Sequence, residues 1–252
     1  KMNEVIELLM QHRSIRKFTN DPIPDDALEA ILKAGQMAST SSNVQAYSII
    51  NIKDPSLRGQ IMKLSGDQAY VAECPVFLVW CADLNRLNKA VETYQKEQQL
   101  ENETLYADST ENLLVATIDA ALAAQNAVVA AESLGYGAVY IGGIRNHIEQ
   151  VSELLQLPQF VYPVFGMCLG VPDQKPLLRP RLPLEAILHT DVYDADRAQF
   201  IKQYDEAYAD YMLKRSGGKS NLSWSAQMHK RLIQPIRLHM KEFLRKKGFM
   251  QK

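Results

Sequence analysis

Residues 112–134 form the longest apolar periodic stretch of the chain, and alanine recurs through it at 116, 120, 121, 123, 124 and 127. Alanine has the highest helix propensity and the smallest side chain that keeps it, so this stretch predicts one long helix that neighbours can approach closely. Gly135 follows as a stop. A helix of this kind belongs at the centre of a core, and the rest of the chain is expected to supply layers around it. Four apolar runs of strand length do so: residues 47–53, 76–82, 137–141 and 162–171, the second opened by Pro75 and the last closed by Pro172. Helical spacing recurs at residues 3–12, from Ala27 through Leu32, at 55–64, 148–155, 195–213 and 223–247. Residues 86–108 read as polar and partly helical with a mobile middle. Helices outnumber strands about two to one and no strict strand–helix alternation repeats, which favours an α+β sandwich over a doubly wound sheet.

Apolar residues make up 46% of the chain and charged residues 23%, ordinary values for a globular protein. No apolar run is expected to reach the ~20 residues of a membrane helix, and the first residues lack the regions of a signal peptide. Cys74, Cys81 and Cys168 are odd in number, with no CxxC and no histidines at ligand spacing. Three thiols in a reducing cytoplasm and no metal site are therefore expected. The net charge of −1 hides an asymmetry: residues 213–252 hold eleven Lys and Arg against Glu242 alone, leaving about −11 on the rest. Such a tail suits nucleic acid, an anionic cofactor, or docking on an acidic surface.

Three separated motifs point to one kind of ligand. His12-Arg13-Ser14-Ile15-Arg16 and Arg179-Pro180-Arg181 offer guanidinium forks and a hydroxyl suited to phosphate. Tyr140-Ile141-Gly142-Gly143-Ile144-Arg145-Asn146 ends a strand in paired glycines, which cost strand stability and imply a backbone requirement. Close approach to a flat ligand would explain the pair, and so would a tight turn before an Asn146 cap. Ser39, Ser41, Ser42 and Gln45 supply short polar groups for the edge of a ring, or form a solvated loop. A phosphate joined to a planar hydrogen-bonding ring describes flavin mononucleotide. GxGxxG, a P-loop, a nucleophile elbow and HExxH are all missing, which suits an enzyme whose cofactor carries the chemistry.

Taken in order, these pieces resemble the nitroreductase-like flavoproteins, on the branch of oxygen-insensitive NADPH nitroreductases and NADPH–flavin oxidoreductases. The resemblance rests on HRSIRKFT followed by Pro22-Ile23, the serine loop ending in Gln45, Ser65-Gly66-Asp67-Gln68, Ala124-Gln125-Asn126, YIGGIRN, CLGVP and RPRLP. It implies a single domain over residues 1–252, a three-layer sandwich with a mixed or antiparallel central sheet. A helical excursion near 85–110 and a C-terminal helical extension near 195–252 complete it. It also implies a cytoplasmic homodimer with one non-covalent FMN at each of two interface sites. His12, Arg13, Ser14, Arg16, Arg179 and Arg181 would hold the phosphate and nearby polar edge, and Gln68 the ribityl chain or ring. Tyr140, Gly142, Gly143 and Arg145 would face the ring, with Ser39, Ser41 and Gln45 lining the site. Arg179 stands where relatives often carry lysine, which keeps the charge.

The implied reaction is ping-pong transfer from NADPH through FMN to nitroaromatics, quinones or similar acceptors. Arg215 and Lys219, flanking Ser216-Gly217-Gly218, are expected to meet the 2′-phosphate of NADPH from a flexible link. A flavin reductase supplying reduced FMN, and a non-catalytic flavin- or nucleic-acid-binding protein, are the competing readings.

Overall fold

The structure, a computed structural model, describes residues 2–252, which divide into two compact units. The larger comprises residues 2–175 and 237–252, the smaller residues 176–236. In the larger unit the helices are α1 (Glu4–Met10), α2 (Asp25–Gln36), α3 (Pro55–Leu64), α4 (Tyr70–Glu73), α5 (Asn85–Gln98), α6 (Thr110–Ser133), α7 (Ile148–Leu154) and a C-terminal helix described below. Its strands are β1 (Tyr47–Asn51), β2 (Val76–Asp83), β3 (Gly137–Ile141) and β4 (Val161–Gly170), ordered β1-β2-β4-β3 with every neighbouring pair antiparallel.

β2 is buried along its whole length because both of its faces are apolar. Successive side chains point to opposite faces. Val76, Leu78 and Trp80 meet α2 and α6, among them Ile31, Ala123, Ala124 and Ala127. Phe77, Val79 and Cys81 meet the other layer, with Ile61 of α3 and Val151 of α7. That is the three-layer sandwich the resemblance implies, with a purely antiparallel sheet. Ser109 caps α6 by accepting the N–H of Asn112 at 3.4 Å, and Gly135, at φ +85°, follows its end.

By length and composition α6 passes as a membrane span, with mean hydropathy 1.7, contrary to the reading that no apolar stretch reaches that length. Its many alanines raise the mean. Nine of its residues are nonetheless buried, the carboxylate-bearing Asp119 among them, as in a core helix.

The expected helix over 223–247 is two. α10 (Trp224–Leu232) belongs to the smaller unit and α11 (Met240–Lys246) to the larger. Pro235 lies between them; proline has no N–H and its ring clashes with the preceding turn, so one helix cannot run through. Region 86–108 is helical to Gln98 and continues in turns to α6. After α11 the chain closes on the start of α6: Phe249 is fully buried against Phe160 and Tyr162, and Thr110 N–H donates to the Lys252 carbonyl at 2.9 Å. The smaller unit holds α8 (Leu184–Ile187), α9 (Ala198–Arg215) and α10. It is centred on buried Tyr204 and Tyr208, with Trp224 edge-on to Tyr204 at 5.7 Å.

Residues 14–19 run extended along the larger unit. Ser14 bridges Ala138 of β3, Ile15 N–H donates to the Ala138 carbonyl at 2.9 Å, and Thr19 N–H to that of Val171 at 2.9 Å. Gly137 makes this approach possible, since a Cβ there would lie 2.5 Å from Ile15 Cγ1 and 3.0 Å from Pro172 Cγ. Gly137→Ala is therefore expected to lower unfolding free energy by about 1–3 kcal/mol, the cost of overpacking a filled site. Urea denaturation checks it; wild-type stability would mean that the segment docks more loosely.

Candidate functional site

The docking of residues 14–19 sets out the first motif. Ile15 is buried, so the alternation of an extended chain turns its neighbours Ser14 and Arg16 away from the core. Arg16 is exposed, and its N–H donates to Gln174 Oε1 at 2.6 Å. Arg13 donates to the Gln11 carbonyl at 2.9 Å. His12 Nδ1 sits 2.5 Å from Glu132 Oε1 on α6, which fixes the imidazole.

The second motif lies at the other end of β3. Tyr140 packs edge-on to Phe165 at 4.8 Å and donates to Gln125 Oε1 at 3.1 Å. Burial, with Glu132 adding, holds its phenol well above the ordinary tyrosine range, so Tyr140 stays a proton-bearing donor. Beyond it, residues 142–145 form a single 3₁₀ turn. Gly143 packs against protein: a Cβ there would lie 2.4 Å from the Ser65 carbonyl oxygen and 2.8 Å from Gln68 Nε2. One glycine of the pair is thus required by chain packing, and that packing brings Gln68 to the end of β3. Gln68 is itself oriented, donating to the Ser65 carbonyl at 2.7 Å and accepting from the Tyr70 hydroxyl. Arg145 donates to the carbonyl of Val164, the residue skipped where the register of β2 and β4 shifts.

Ser14 pairs with Ala138, four residues before Gly142, so the cationic motif and the glycine pair lie roughly 13 Å apart along β3 and its continuation. A phosphate joined to a planar ring through a five-carbon chain needs a separation of this order. These residues fit FMN by donor chemistry as well, with guanidiniums at one end and amide and phenol groups at the other.

Arg237 was missed in the sequence. Its Nε donates to Asn146 Oδ1 at 3.0 Å, and both terminal nitrogens lie 3.8 Å from where a Gly142 Cβ would stand. Two further residues, Asp119 and Arg86, hold the serine loop. Asp119 accepts the N–H groups of Ser41 and Ala46, each at 3.0 Å. Arg86 donates to the carbonyls of Gln45 at 2.8 Å and Tyr47 at 2.6 Å. Beside the loop an open cleft of about 680 Å³ is lined by Gln36, Gln45, Tyr47 and Arg86. The signal for Asp119 was present: a lone carboxylate mid-way along an alanine helix must have a buried partner. The pairing of Tyr47 with Ala82 and of Ala82 with Tyr162 puts this loop at the same end of the sheet as the glycine pair. The two lie on opposite edge strands, three spacings or roughly 14 Å apart.

In the smaller unit Arg179 and Arg181 are both exposed, and the Arg179 guanidinium lies 6.0 Å from the centre of the Tyr211 ring. Arg215 ends α9 and Lys219 follows it, both exposed. The link between them, expected to be flexible, is a closed capping turn. Gly218 N–H donates to the Leu213 carbonyl and Ser220 N–H to Ser216 Oγ, each at 2.8 Å. Gly217 and Gly218, at φ +62° and +85°, allow that turn.

Comparison with known proteins finds relatives over nearly the whole chain. The sequence pattern of the nitroreductase family matches residues 9–171, and that of the family's C-terminal domain residues 179–252. The chain is 43% identical over 248 residues to an oxygen-insensitive NADPH nitroreductase of Salmonella typhimurium, covering 98% of this chain and 99% of that one. It is 40% identical over 251 residues to an FMN reductase (NADPH) of Bacillus subtilis, with 98% and 99% covered. Its fold matches the solved NADPH:FMN oxidoreductase from Vibrio harveyi complexed with NAD+, with TM-score 0.88, 38% identity, and 99% and 100% covered.

Gly143→Ala is expected to cost at least about 2 kcal/mol of stability, because a backbone carbonyl must move. It should also displace Gln68. Denaturant unfolding measures the first effect, and wild-type stability would refute the packing account of Gly143.

Proposed function

The chain belongs to the nitroreductase family, and from that premise we propose that it is an FMN-dependent NADPH oxidoreductase reducing nitroaromatics, quinones or similar small acceptors. One observation carries the reading: β3 sets Arg13, Ser14 and Arg16 at one end, and Gln68, Tyr140, Gly142 and Gly143 at the other. The first group, with His12, holds the phosphate of FMN and stabilises negative charge nearby; Arg179 and Arg181 of the smaller unit are proposed as phosphate ligands in their own right. The second, with Arg145, Ser39, Ser41 and Gln45, orients the ring. When bound, FMN supplies two-electron chemistry, taking hydride from NADPH and passing the electrons to the acceptor in ping-pong order. The protein's part is to bind, orient and leave stacking room for each substrate in turn. Residues 1–252 act as one FMN-binding domain with a C-terminal extension, in a reducing cytoplasm that suits three free, buried thiols. A flavin reductase releasing reduced FMN is the second reading, supported by the names of the Bacillus and Vibrio relatives.

A homodimer is part of the proposal. On α6, Leu114, Ile118 and Leu122 make a stripe at four-residue spacing, each about half exposed, and α1 exposes Val5, Ile6 and Leu9. Apolar groups in such number on adjoining helices suit a partner copy. A two-fold dimer also answers the opposed positions of the serine loop and the glycine pair, since each loop can serve the partner's ring. Sedimentation should give about twice 28.5 kDa.

Purified protein should be yellow and release intact FMN on denaturation; a colourless chain that no FMN reconstitutes would sink the proposal. Arg181→Ala should weaken FMN by about 1.5–3 kcal/mol, the range for a hydrogen bond to a charged group, as read by flavin fluorescence. Arg215→Ala and Lys219→Ala should raise KM for NADPH with little change in kcat, since the 2′-phosphate is remote from the hydride. The effect should shrink in high salt and be small with NADH. Unchanged NADPH kinetics in both variants would place cofactor choice elsewhere.

A further inference from the structure

Three residues of the serine loop, Ser42, Asn43 and Gln45, are held at φ +47°, +56° and +52°, where side chains other than glycine's are disfavoured. Such strain persists only where surroundings over-determine the backbone, and it is a mark of functional loops. Here two charged side chains impose it from opposite signs. Asp119, with no exposed surface, draws in the N–H groups of Ser41 and Ala46 with its two carboxylate oxygens. The Arg86 fork draws in the carbonyls of Gln45 and Tyr47, while its other nitrogen reaches Ser48 Oγ at 2.9 Å and Asp83 Oδ2 at 3.3 Å. Ser48 Oγ in turn donates to Asp83 Oδ2 at 2.5 Å, which fixes the fork's own anchor. Between the two clamps residues 42–45 have no course left but to arch outward.

We propose that Asp119 and Arg86 are positioning residues for flavin binding, acting through the backbone of residues 41–47 rather than by touching the ligand. The inference rests on the reading that Ser39, Ser41 and Gln45 line the FMN site. Neither residue can be replaced by a near relative. Asparagine at 119 would turn an amide N–H toward one of the two backbone N–H groups, and lysine at 86 would offer a point charge instead of a planar fork.

The test measures FMN dissociation by flavin fluorescence and the visible circular dichroism of bound flavin, in the full chain. Asp119→Asn and Arg86→Lys should each weaken FMN about tenfold or more, the scale of a lost charge-assisted hydrogen bond, and alter the dichroic bands. Thr117→Val is the comparison, two residues away from Asp119 on α6 and so on a different side of the helix. It removes a half-buried hydroxyl bonded to Tyr162 OH at 2.6 Å, without touching the loop. It should lose stability while keeping wild-type FMN affinity. Arg86 is on the surface, its side chain 57% exposed, so Arg86→Lys decides the matter even if Asp119→Asn fails to fold. Wild-type affinity and dichroism in Arg86→Lys would overturn the positioning role and leave the functional reading standing. So would an equal loss of FMN in Thr117→Val. A wild-type chain that takes up no FMN would overturn both.

Discussion

Because β2 is apolar on both faces, the larger unit has to cover it twice, and most of what surrounds the site follows from how it does so. On the Trp80 face the cover is α6, whose alanines let the helix come close enough to exclude water from Leu78 and Trp80. A longer side chain at Ala123 or Ala127 would push the helix away. On the Phe77 face, α3 and α7 do the same with larger residues, Ile61 and Val151. Once both helical layers are fixed, β3 and β4 have one register, and the ends of β3 have fixed places. The motifs flanking β3 are then separated by strand rise alone, with no loop to let the distance drift.

The same packing explains what could be read from the sequence and what could not. The four strands and α6 were legible because each has a period or an apolar run that burial directly enforces. The phosphate-type motif was legible as residue types, and its docking beside β3 rests on Gly137, whose neighbour Ile15 is distant in sequence. Gly143 was noticed for a sound reason, a backbone requirement, yet the group approaching it is the Ser65 carbonyl. Sequence shows that room is needed and is silent about which group fills it. The lone carboxylate of Asp119 on an alanine helix signals a buried partner, but which groups Asp119 and Arg86 hold was not legible, because those groups are backbone atoms that carry no residue signature.

Three cations near the end of the basic tail have partners within the larger unit. Of the cations after residue 236, Lys246 pairs with Glu149, Lys252 lies 3.6 Å from Asp108, and Lys247 donates to the Leu157 carbonyl at 2.7 Å. Burial lowers the Lys247 ammonium below its ordinary range. These groups tie α11 and the last residues to α7 and the start of α6.

One feature of the tail has a different character. Immediately after Pro235 breaks the helix, Arg237 takes φ +54°, and its guanidinium reaches back across 91 residues of sequence to Asn146. His239, two residues on, meets the Arg145 carbonyl at 2.9 Å. The turn after the glycine pair is therefore held from outside by two basic residues whose placement depends on the proline. A continuous helix over 223–247 would carry residue 237 along a straight axis, with no left-handed residue to turn the chain. Pro235 thus does more than end α10. The left-handed turn at Arg237 that follows it accompanies the positive charge facing Gly142.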